Sequence, residues 1–152
     1  MTSDAYVLEP PTAAVRRVMQ GNRGTDTSPE RQVRSALHRY GLRFRKRLTL
    51  HINGRRTTPD IVFPRHHVCV YVDGCFWHGC PTHGRRPRRN QAYWTAKFER
   101  NIQRDREITS LLSADGWTVV RAWEHEPVEL TVRRVIEALG GDRLDRSLAT
   151  AS

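Results

Sequence analysis

The sequence has little lysine, little cysteine and no long apolar run. Lys46 and Lys97 are the two lysines among 152 residues, and there are three cysteines. No apolar stretch approaches the roughly 18 to 20 residues that a membrane span requires, and the first residues lack the basic cluster and apolar core of a signal peptide. We therefore expect a cytoplasmic protein with no membrane association. In a reducing compartment, three cysteines argue against a disulfide framework and leave metal binding or burial as their uses.

The charge of the chain is strongly unbalanced. There are 26 Lys+Arg against 16 Asp+Glu, which gives a net charge of +10 and a pI near 10.7. Arginine supplies almost all of the excess, and its planar guanidinium suits phosphate oxygens better than an ammonium does. A compact basic domain favours a polyanionic partner, above all nucleic acid. Charge that serves only solubility is the alternative.

The chain divides into one domain-sized body and two weakly structured ends. Its 152 residues suit a single domain. Residues 1–26 contain few core-forming residues and predict a flexible basic arm that can order against DNA phosphates. Periodic segments fill residues 27–139, which we expect to form the domain. Residues 140–152 predict a disordered tail.

Hydrophobic spacing predicts alternating helices and strands within the domain. Three segments have apolar residues at helical spacing: 27–40, 91–113 and 127–139. Four segments predict strands, with an Asn53-Gly54 hairpin turn after the first: 42–50, 60–63, 68–72 and 117–123. This order predicts an α/β domain in which a mixed sheet is flanked by helices.

An irregular loop before the second helix carries metal-ligand residue types. Cys75, Cys80 and His83 form a C-x4-C-x2-H pattern, which can wrap a tetrahedral Zn²⁺ ion. His125, just after the last strand, is the best candidate for a fourth ligand, and a closed site would stabilise a loop too polar to pack by itself. Partly buried thiols with surface histidines are the alternative. Cys69 lies within a strand and is expected to be a buried apolar residue.

Two carboxylates stand out because of their places in the predicted elements. Asp60 opens a buried strand after Pro59, where it can supply the hard oxygen ligand that Mg²⁺ needs; a turn or a cap is the alternative. Asp105 falls near the centre of an apolar helix stripe, where an acid is costly unless it finds a cation or several donors. Pairing with an arginine and a role in an active site are both open for Asp105.

Large aromatic residues lie in the same cysteine-containing loop. Phe76 and Trp77 stand close to the arginine-rich residues 85–89 and can stack on bases or wedge between them. Covering the metal loop is the alternative role. His78 follows directly and can move protons if it lies near a Mg²⁺ carboxylate.

An ordered series of short motifs carries a family resemblance. The series is Asp73–Cys80 (DGCFWHGC), Tyr93-Trp94, Lys97, Asn101, Arg104-Asp105, Gly116-Trp117 and Trp123-Glu124, with Thr27–Glu30 and Thr58–Asp60 upstream. Together these motifs, which span about residues 12 to 126, resemble the very short patch repair (Vsr) DNA mismatch endonucleases. The resemblance implies a restriction-endonuclease-like fold and a Mg²⁺-dependent nick in one strand, 5′ to the thymine of a T:G mismatch left by deamination of 5-methylcytosine. It also implies double-stranded DNA as the partner, action as a monomer near the nucleoid, and repair-protein partners.

The resemblance also implies roles for the residues around the scissile phosphate. Asp60 would bind Mg²⁺ together with the backbone carbonyl of Val72. His78 would activate the water, and Glu30 and Asp105 would orient or support it.

The resemblance further implies residues that contact DNA and zinc. Phe76, Trp77 and Trp94 would insert beside the mismatched pair from the major groove. Met19, on the basic arm, would reach the opposite groove. Two residues of the long helix are further DNA-contact candidates, and four residues would hold structural zinc: Lys97 and Asn101 for DNA, and Cys75, Cys80, His83 and His125 for zinc.

The sequence departs from the family pattern at a few site positions. Asp73 stands where some members have histidine, and an acid there can add a metal ligand. Val72 stands where some relatives have threonine, so only its main chain can serve. Cys80 and His125 replace other zinc-ligand types, and both remain good zinc donors.

Two rival functions stay open at this point. A zinc-braced DNA-binding module without catalysis would keep the aromatics and arginines. A nuclease of the same fold that cuts both strands would keep the metal ligands as well. Neither rival is excluded by composition or spacing.

Overall fold

The computed structural model describes residue 13 and residues 27–75, 80, 82 and 88–140. Residues 27–140 contain three α-helices: α1 Ser28–Arg39, α2 Gln91–Ala114 and α3 Val128–Ala138. Six strands accompany them: β1 Arg45–Lys46, β2 Leu50–Ile52, β3 Arg55–Thr57, β4 Ile61–Phe63, β5 Val68–Asp73 and β6 Thr118–Trp123. A single turn of 3₁₀ helix, Pro64–His66, follows the fourth strand. The expected α/β domain with a mixed sheet is confirmed. The predicted arm, apart from residue 13, and the predicted tail from residue 141 onward lie outside the described residues.

Helix α1 begins after the N-cap residue Thr27, which Glu30 contacts. Thr27 has the extended backbone of an N-cap residue (φ −65°, ψ 159°), and Pro29 follows in the first turn. Glu30, the third residue of the helix, hydrogen-bonds the backbone and side chain of Thr27, which is one half of a capping box; the Thr27 side chain makes no cap hydrogen bond in return. The helix ends before Gly41, whose φ of +72° suits glycine. Glu30 is thereby held in place at the first turn of the helix.

The main sheet has the strand order β1-β4-β5-β6. Strands β4 and β5 are antiparallel, with Ile61 opposite Val70. Strands β5 and β6 are parallel, with Asp73 opposite Trp123, and α2 makes the crossover between them. The carboxyl ends of β5 and β6 therefore meet at one end of the sheet, where Asp60 also enters β4.

Side chains on the two faces of β5 build two apolar cores. Val68 and Val70 pack against α1 and α3, in a cluster that includes Leu37 and Val135, all with no exposed surface. On the opposite face, Cys69 packs beside the α2 residues Ile108 and Leu112. The side chains alternate because successive strand residues point to opposite faces. Cys69 has no exposed surface, which confirms the expectation of burial.

The strand predicted over 42–50 is wrong as a single element. Arg47 has a left-handed backbone (φ +55°), which divides the segment into β1 and β2. Strand β1 pairs with β4, whereas β2 pairs with β3 in a separate two-stranded sheet. The predicted hairpin turn is confirmed, since Asn53 and Gly54 both have the positive φ of a type I′ turn. Among the described residues, no helix has the length and apolar character needed to cross a membrane.

Candidate active site

Asp60 is fixed at the end of the sheet by three hydrogen bonds. Its backbone N–H donates to the Val70 carbonyl (3.0 Å), and its own carbonyl accepts from the Arg47 N–H (3.3 Å). The carboxylate atom Oδ2 accepts from the backbone N–H of Val72 at 2.7 Å. The turn at Arg47 and strand β5 thus hold both the backbone and the side chain of Asp60.

Glu30 brings a second carboxyl to Asp60 from helix α1. Glu30 is 7 % exposed, its carboxyl hydrogen-bonds that of Asp60, and Arg34 Nη1 lies 3.6 Å from Glu30 Oε2. Burial raises the pKa of Glu30, while the hydrogen bonds to Thr27 and the charge of Arg47 act in the opposite direction. The two carboxyl groups therefore share a site that Arg34 and Arg47 only partly neutralise.

The acid–base state of Asp60 is strongly perturbed. Its pKa is raised to about 7, chiefly by burial and in smaller part by the charges of Glu30 and Asp73, while the Val72 N–H and Arg34 oppose the rise. The proton on Asp60 can then be donated to the Glu30 carboxylate. A carboxyl group that resists ionisation until a cation arrives is a feature of metal-dependent sites as well as of buried acid clusters. Its hard oxygens, beside the Val72 backbone, suit Mg²⁺.

Asp73, the last residue of β5, is engaged by an arginine. Arg121 Nη1 donates to both Asp73 carboxylate oxygens, at 3.0 and 3.1 Å. Arg121 also approaches Asp105, with its Nη2 at 3.8 Å from Asp105 Oδ1. Of the two alternatives for Asp105, the structure shows the arginine pair. A role for Asp105 beside His78 stays a prediction, because His78 lies outside the described residues.

Three of the four expected zinc ligands lie together. The candidate ligand atoms of Cys75, Cys80 and His125 are all within 4.8 Å of one another. His125 Nδ1 lies 3.0 Å from the Cys75 sulfur and 3.6 Å from the Cys80 sulfur. His125 reaches the cysteines because β5 and β6 run in parallel with Asp73 opposite Trp123, so residues 75 and 125 leave the sheet side by side.

The cysteine–histidine cluster is also held by backbone contacts. The Cys80 N–H donates to the Cys75 carbonyl at 3.1 Å, and the Cys75 N–H donates to Glu124 Oε1 at 3.0 Å. The pKa of the Cys75 thiol is raised to about 11, chiefly by burial and in part by Cys80 and the charge of Glu124. A bound cation would offset this, because it binds the thiolate form.

One of the two sulfur–nitrogen distances in this cluster matches a tetrahedral metal site, and the other is shorter. Tetrahedral zinc with Zn–S of about 2.3 Å and Zn–N of about 2.05 Å separates sulfur from nitrogen by roughly 3.6 Å. The Cys80–His125 separation equals that value, and the Cys75–His125 separation is about 0.6 Å shorter. Two sulfurs and one imidazole nitrogen form a donor set that suits zinc. His83, the expected fourth ligand, lies outside the described residues.

The expected DNA contacts are only partly within the described residues. Trp94 is 2 % exposed, and its ring packs against Tyr93 and Phe98 at centroid distances of 5.3 and 5.9 Å. Its insertion into DNA stays a prediction that requires the ring to leave this position. The Lys97 ammonium lies 5.7 and 5.8 Å from the Tyr93 and Trp94 rings, and Asn101 is half-buried one turn further along α2. Three other candidates lie outside the described residues: Met19, Phe76 and Trp77.

Some residues of the site were not anticipated from the sequence. Arg47 and Arg34 flank the Asp60–Glu30 pair, and Glu124 binds the Cys75 backbone. Arg121 had a visible signal, since it is a charged residue inside the apolar run of a predicted strand. Glu124 belongs to the Trp123-Glu124 motif, which gave no indication of its contact with Cys75. Arg34 and Arg47 had no signal, because helix and loop surfaces are commonly rich in charged residues.

Comparison with known proteins identifies the family and several relatives of this chain. Residues 9–83 match the family model described as DNA mismatch endonuclease Vsr. The type II nicking enzyme V.NaeI of Lentzea aerocolonigenes is 46 % identical over 131 residues, which cover 86 % of this chain and 79 % of that enzyme. The type II nicking enzyme V.XorIIP of Xanthomonas oryzae pv. oryzae is 43 % identical, with 76 % and 82 % covered.

A more distant relative carries the family's own name. The DNA mismatch endonuclease Vsr of Escherichia coli is 33 % identical over 100 residues, which cover 65 % of this chain and 62 % of that protein. These relatives define the class as DNA endonucleases and nicking enzymes. The chain belongs to the Vsr family.

Proposed function

We propose that this protein nicks one strand of double-stranded DNA 5′ to the thymine of a T:G mismatch, the product of 5-methylcytosine deamination, in very short patch repair. The observation that carries the proposal is the carboxyl centre at the sheet end, where Asp60 is held by Val72 and faced by Glu30. Membership of the Vsr family supports the substrate. A mixed sheet with α1 and α2 on opposite faces supports a restriction-endonuclease-like fold.

The cleavage centre would use Asp60 and the main-chain carbonyl of Val72 to hold Mg²⁺. When bound, Mg²⁺ would polarise the phosphoryl oxygen and neutralise the charge that repels an incoming nucleophile. The Val72 N–H orients the Asp60 carboxylate through its 2.7 Å hydrogen bond. His78 would accept the proton of the attacking water, and Glu30 would keep the Asp60 side chain in position through their shared hydrogen bond.

The cysteine–histidine cluster would brace the loop that meets the bases. Cys75, Cys80 and His125, with His83 as the fourth ligand, would hold structural Zn²⁺. Such a brace would fix the loop between Cys75 and Cys80, whose four residues include Phe76 and Trp77. A rigid loop lowers the entropy that is lost when its side chains bind DNA.

Mismatch selectivity would come from aromatic insertion and groove contacts. A mismatched step costs less to open than a paired one, so wedging by Phe76, Trp77 and Trp94 would favour T:G sites. The net charge of +10 would supply salt-sensitive attraction to the phosphates of any sequence. Contacts from Met19 on the arm, and from Lys97 and Asn101 on α2, would add positioning on the duplex.

A labelled duplex with one T:G pair tests the proposal. The expected product is a single nick directly 5′ to the mismatched thymine, formed by a monomer in Mg²⁺ and at a much lower rate on a matched C:G duplex. Cutting of both strands at equal rates would favour the double-strand nuclease. Binding to the T:G duplex with no cleavage under any divalent cation would favour the non-catalytic DNA-binding module.

A further inference from the structure

Arg121 is the centre of a half-buried polar network on the α2 side of the sheet. Besides donating to both Asp73 oxygens, its Nε donates to Thr109 Oγ1 at 3.0 Å. Its Nη2 donates to the Asp105 carbonyl at 3.4 Å. The guanidinium carbon lies 4.3 Å from the centroid of the Tyr71 ring. Contacts on this many sides leave the side chain little freedom, so its hydrogen bonds hold Asp73 in one orientation.

Asp73 and Asp60 approach the sheet end from different sides. Asp73 shares a face of β5 with Tyr71, towards α2, whereas Glu30 reaches Asp60 from α1 on the other face. Asp73 is nevertheless close enough for its charge to raise the pKa of Asp60. The site thus holds three acids, and one of them has an arginine on both of its oxygens.

We propose that Arg121 is a positioning residue of the cleavage site: by binding both oxygens of Asp73, it keeps this carboxylate from the divalent cation and leaves that cation to Asp60. The inference rests on the function proposed above. Arg121 and Asp73 then form a nearly neutral pair. The pair lowers the negative charge at the sheet end, where the cation binds. A cation site with one carboxylate fewer binds a divalent ion less tightly.

A double-mutant cycle tests the inference. Its members are Arg121→Met, Asp73→Asn and the variant that carries both substitutions. The readout is Mn²⁺ affinity of the zinc-loaded protein without DNA, measured by titration calorimetry. Arg121→Met releases Asp73 and removes a positive charge, so we expect Mn²⁺ to bind at least about fivefold more tightly. Asp73→Asn leaves Arg121 less neutralised and is expected to weaken binding. The double variant removes both charges and is expected to lie within about fivefold of the wild type.

The double variant decides between Asp73 as half of an ion pair and Asp73 as a metal ligand. If Asp73 were a ligand, the double variant would lose its oxygen and bind Mn²⁺ more than about fivefold more weakly, which would overturn the inference. Unchanged affinity in Arg121→Met would overturn it as well. Arg121→Met alone can fail to fold because it leaves a buried acid unpaired. In that case the Mn²⁺ affinity of the double variant decides, with the same fivefold limit relative to the wild type.

Arg55→Met is the matched control. Arg55 on strand β3 forms an ion pair with Glu107 on α2 at 2.6 Å, and the two side chains are 50 % and 40 % exposed. Removing this exposed cation is expected to leave Mn²⁺ affinity within about twofold of the wild type. An increase equal to that of Arg121→Met would mean that net charge alone controls the affinity, and it would overturn the role of Arg121.

The Mn²⁺-binding experiment and the nicking assay test different proposals, so each can refute one proposal without refuting the other. Mn²⁺ affinity is measured without DNA, so the expected cycle in a protein that never nicks a T:G duplex would refute the proposed function alone. Normal nicking with a double variant that has lost Mn²⁺ affinity would refute the Arg121 inference alone.

Discussion

Replacing Asp60 by asparagine should stabilise the fold at alkaline pH while it removes activity. The pKa of Asp60 is raised from 3.8 to about 7, chiefly by burial. A folded pKa above the unfolded value means that the folded chain binds more protons between about pH 4 and pH 7. The contribution to stability is therefore present at low pH and is lost as the pH rises through this window.

The size of the effect follows from the shift. About three pKa units at 1.36 kcal/mol each set a ceiling of about 4 kcal/mol for the cost of ionising Asp60 in the folded state. Linkage places about 2 to 3 kcal/mol of that cost between about pH 5 and pH 8. Asparagine keeps an acceptor for the Val72 N–H and a donor for Glu30, so the lost charge is the main change.

Urea unfolding at about pH 5 and about pH 8, with zinc but no other divalent cation, measures the effect. The unfolding free energy of Asp60→Asn relative to the wild type should increase by about 2 to 3 kcal/mol between the two pH values. Asp115→Asn, an exposed acid at the end of α2, is the matched control and should show a pH-independent difference below about 1 kcal/mol. A relative stability of Asp60→Asn that is the same at both pH values would refute the reasoning.

Three further predictions concern the zinc cluster, the aromatic loop and the core. Native protein should contain one zinc per chain by metal analysis, and Cys80→Ser should lose most of it; native protein without zinc would contradict the ligand assignment. Trp77→Ala should reduce the ratio of T:G to C:G binding more than it reduces affinity for C:G duplex, whereas equal losses in gel-shift titrations would count against insertion. Leu112→Ala, at a site with no exposed surface, should cost about 3 to 5 kcal/mol in urea unfolding, against less than about 1 kcal/mol for Leu130→Ala at a 37 % exposed site. Similar costs at the two leucines would contradict the assigned core.

The helices and the buried strands could be predicted because each is encoded by a local pattern. The spacing of Val33, Leu37 and their neighbours identifies α1, and the apolar run of β5 identifies a strand with two buried faces. The break at Arg47 was missed because alternation of basic and apolar residues continues through it. The segment is divided because β1 pairs with β4 and β2 pairs with β3. The spacing of apolar residues does not indicate which strands will pair.

The candidate site shows the same division between local and non-local information. The two cysteines of the cluster are close in sequence. His125 could be predicted because it follows a strand whose end was expected to lie beside the cysteine loop, and the parallel pairing of β5 and β6 places it there. The Arg121–Asp73 pair joins residues 48 positions apart. Nothing in the sequence around either residue specifies the other, so only the fold brings them together.

Single-turnover nicking of a T:G duplex by wild type and Asp60→Asn most directly tests whether the carboxyl centre at the sheet end cleaves DNA. Loss of a required metal-ligand charge should slow nicking at saturating Mg²⁺ by at least about a thousandfold, with affinity for the duplex within about threefold of the wild type. Asp115→Asn should nick at the wild-type rate. Nicking by Asp60→Asn at a rate near that of the wild type would show that the chemistry takes place elsewhere in the molecule.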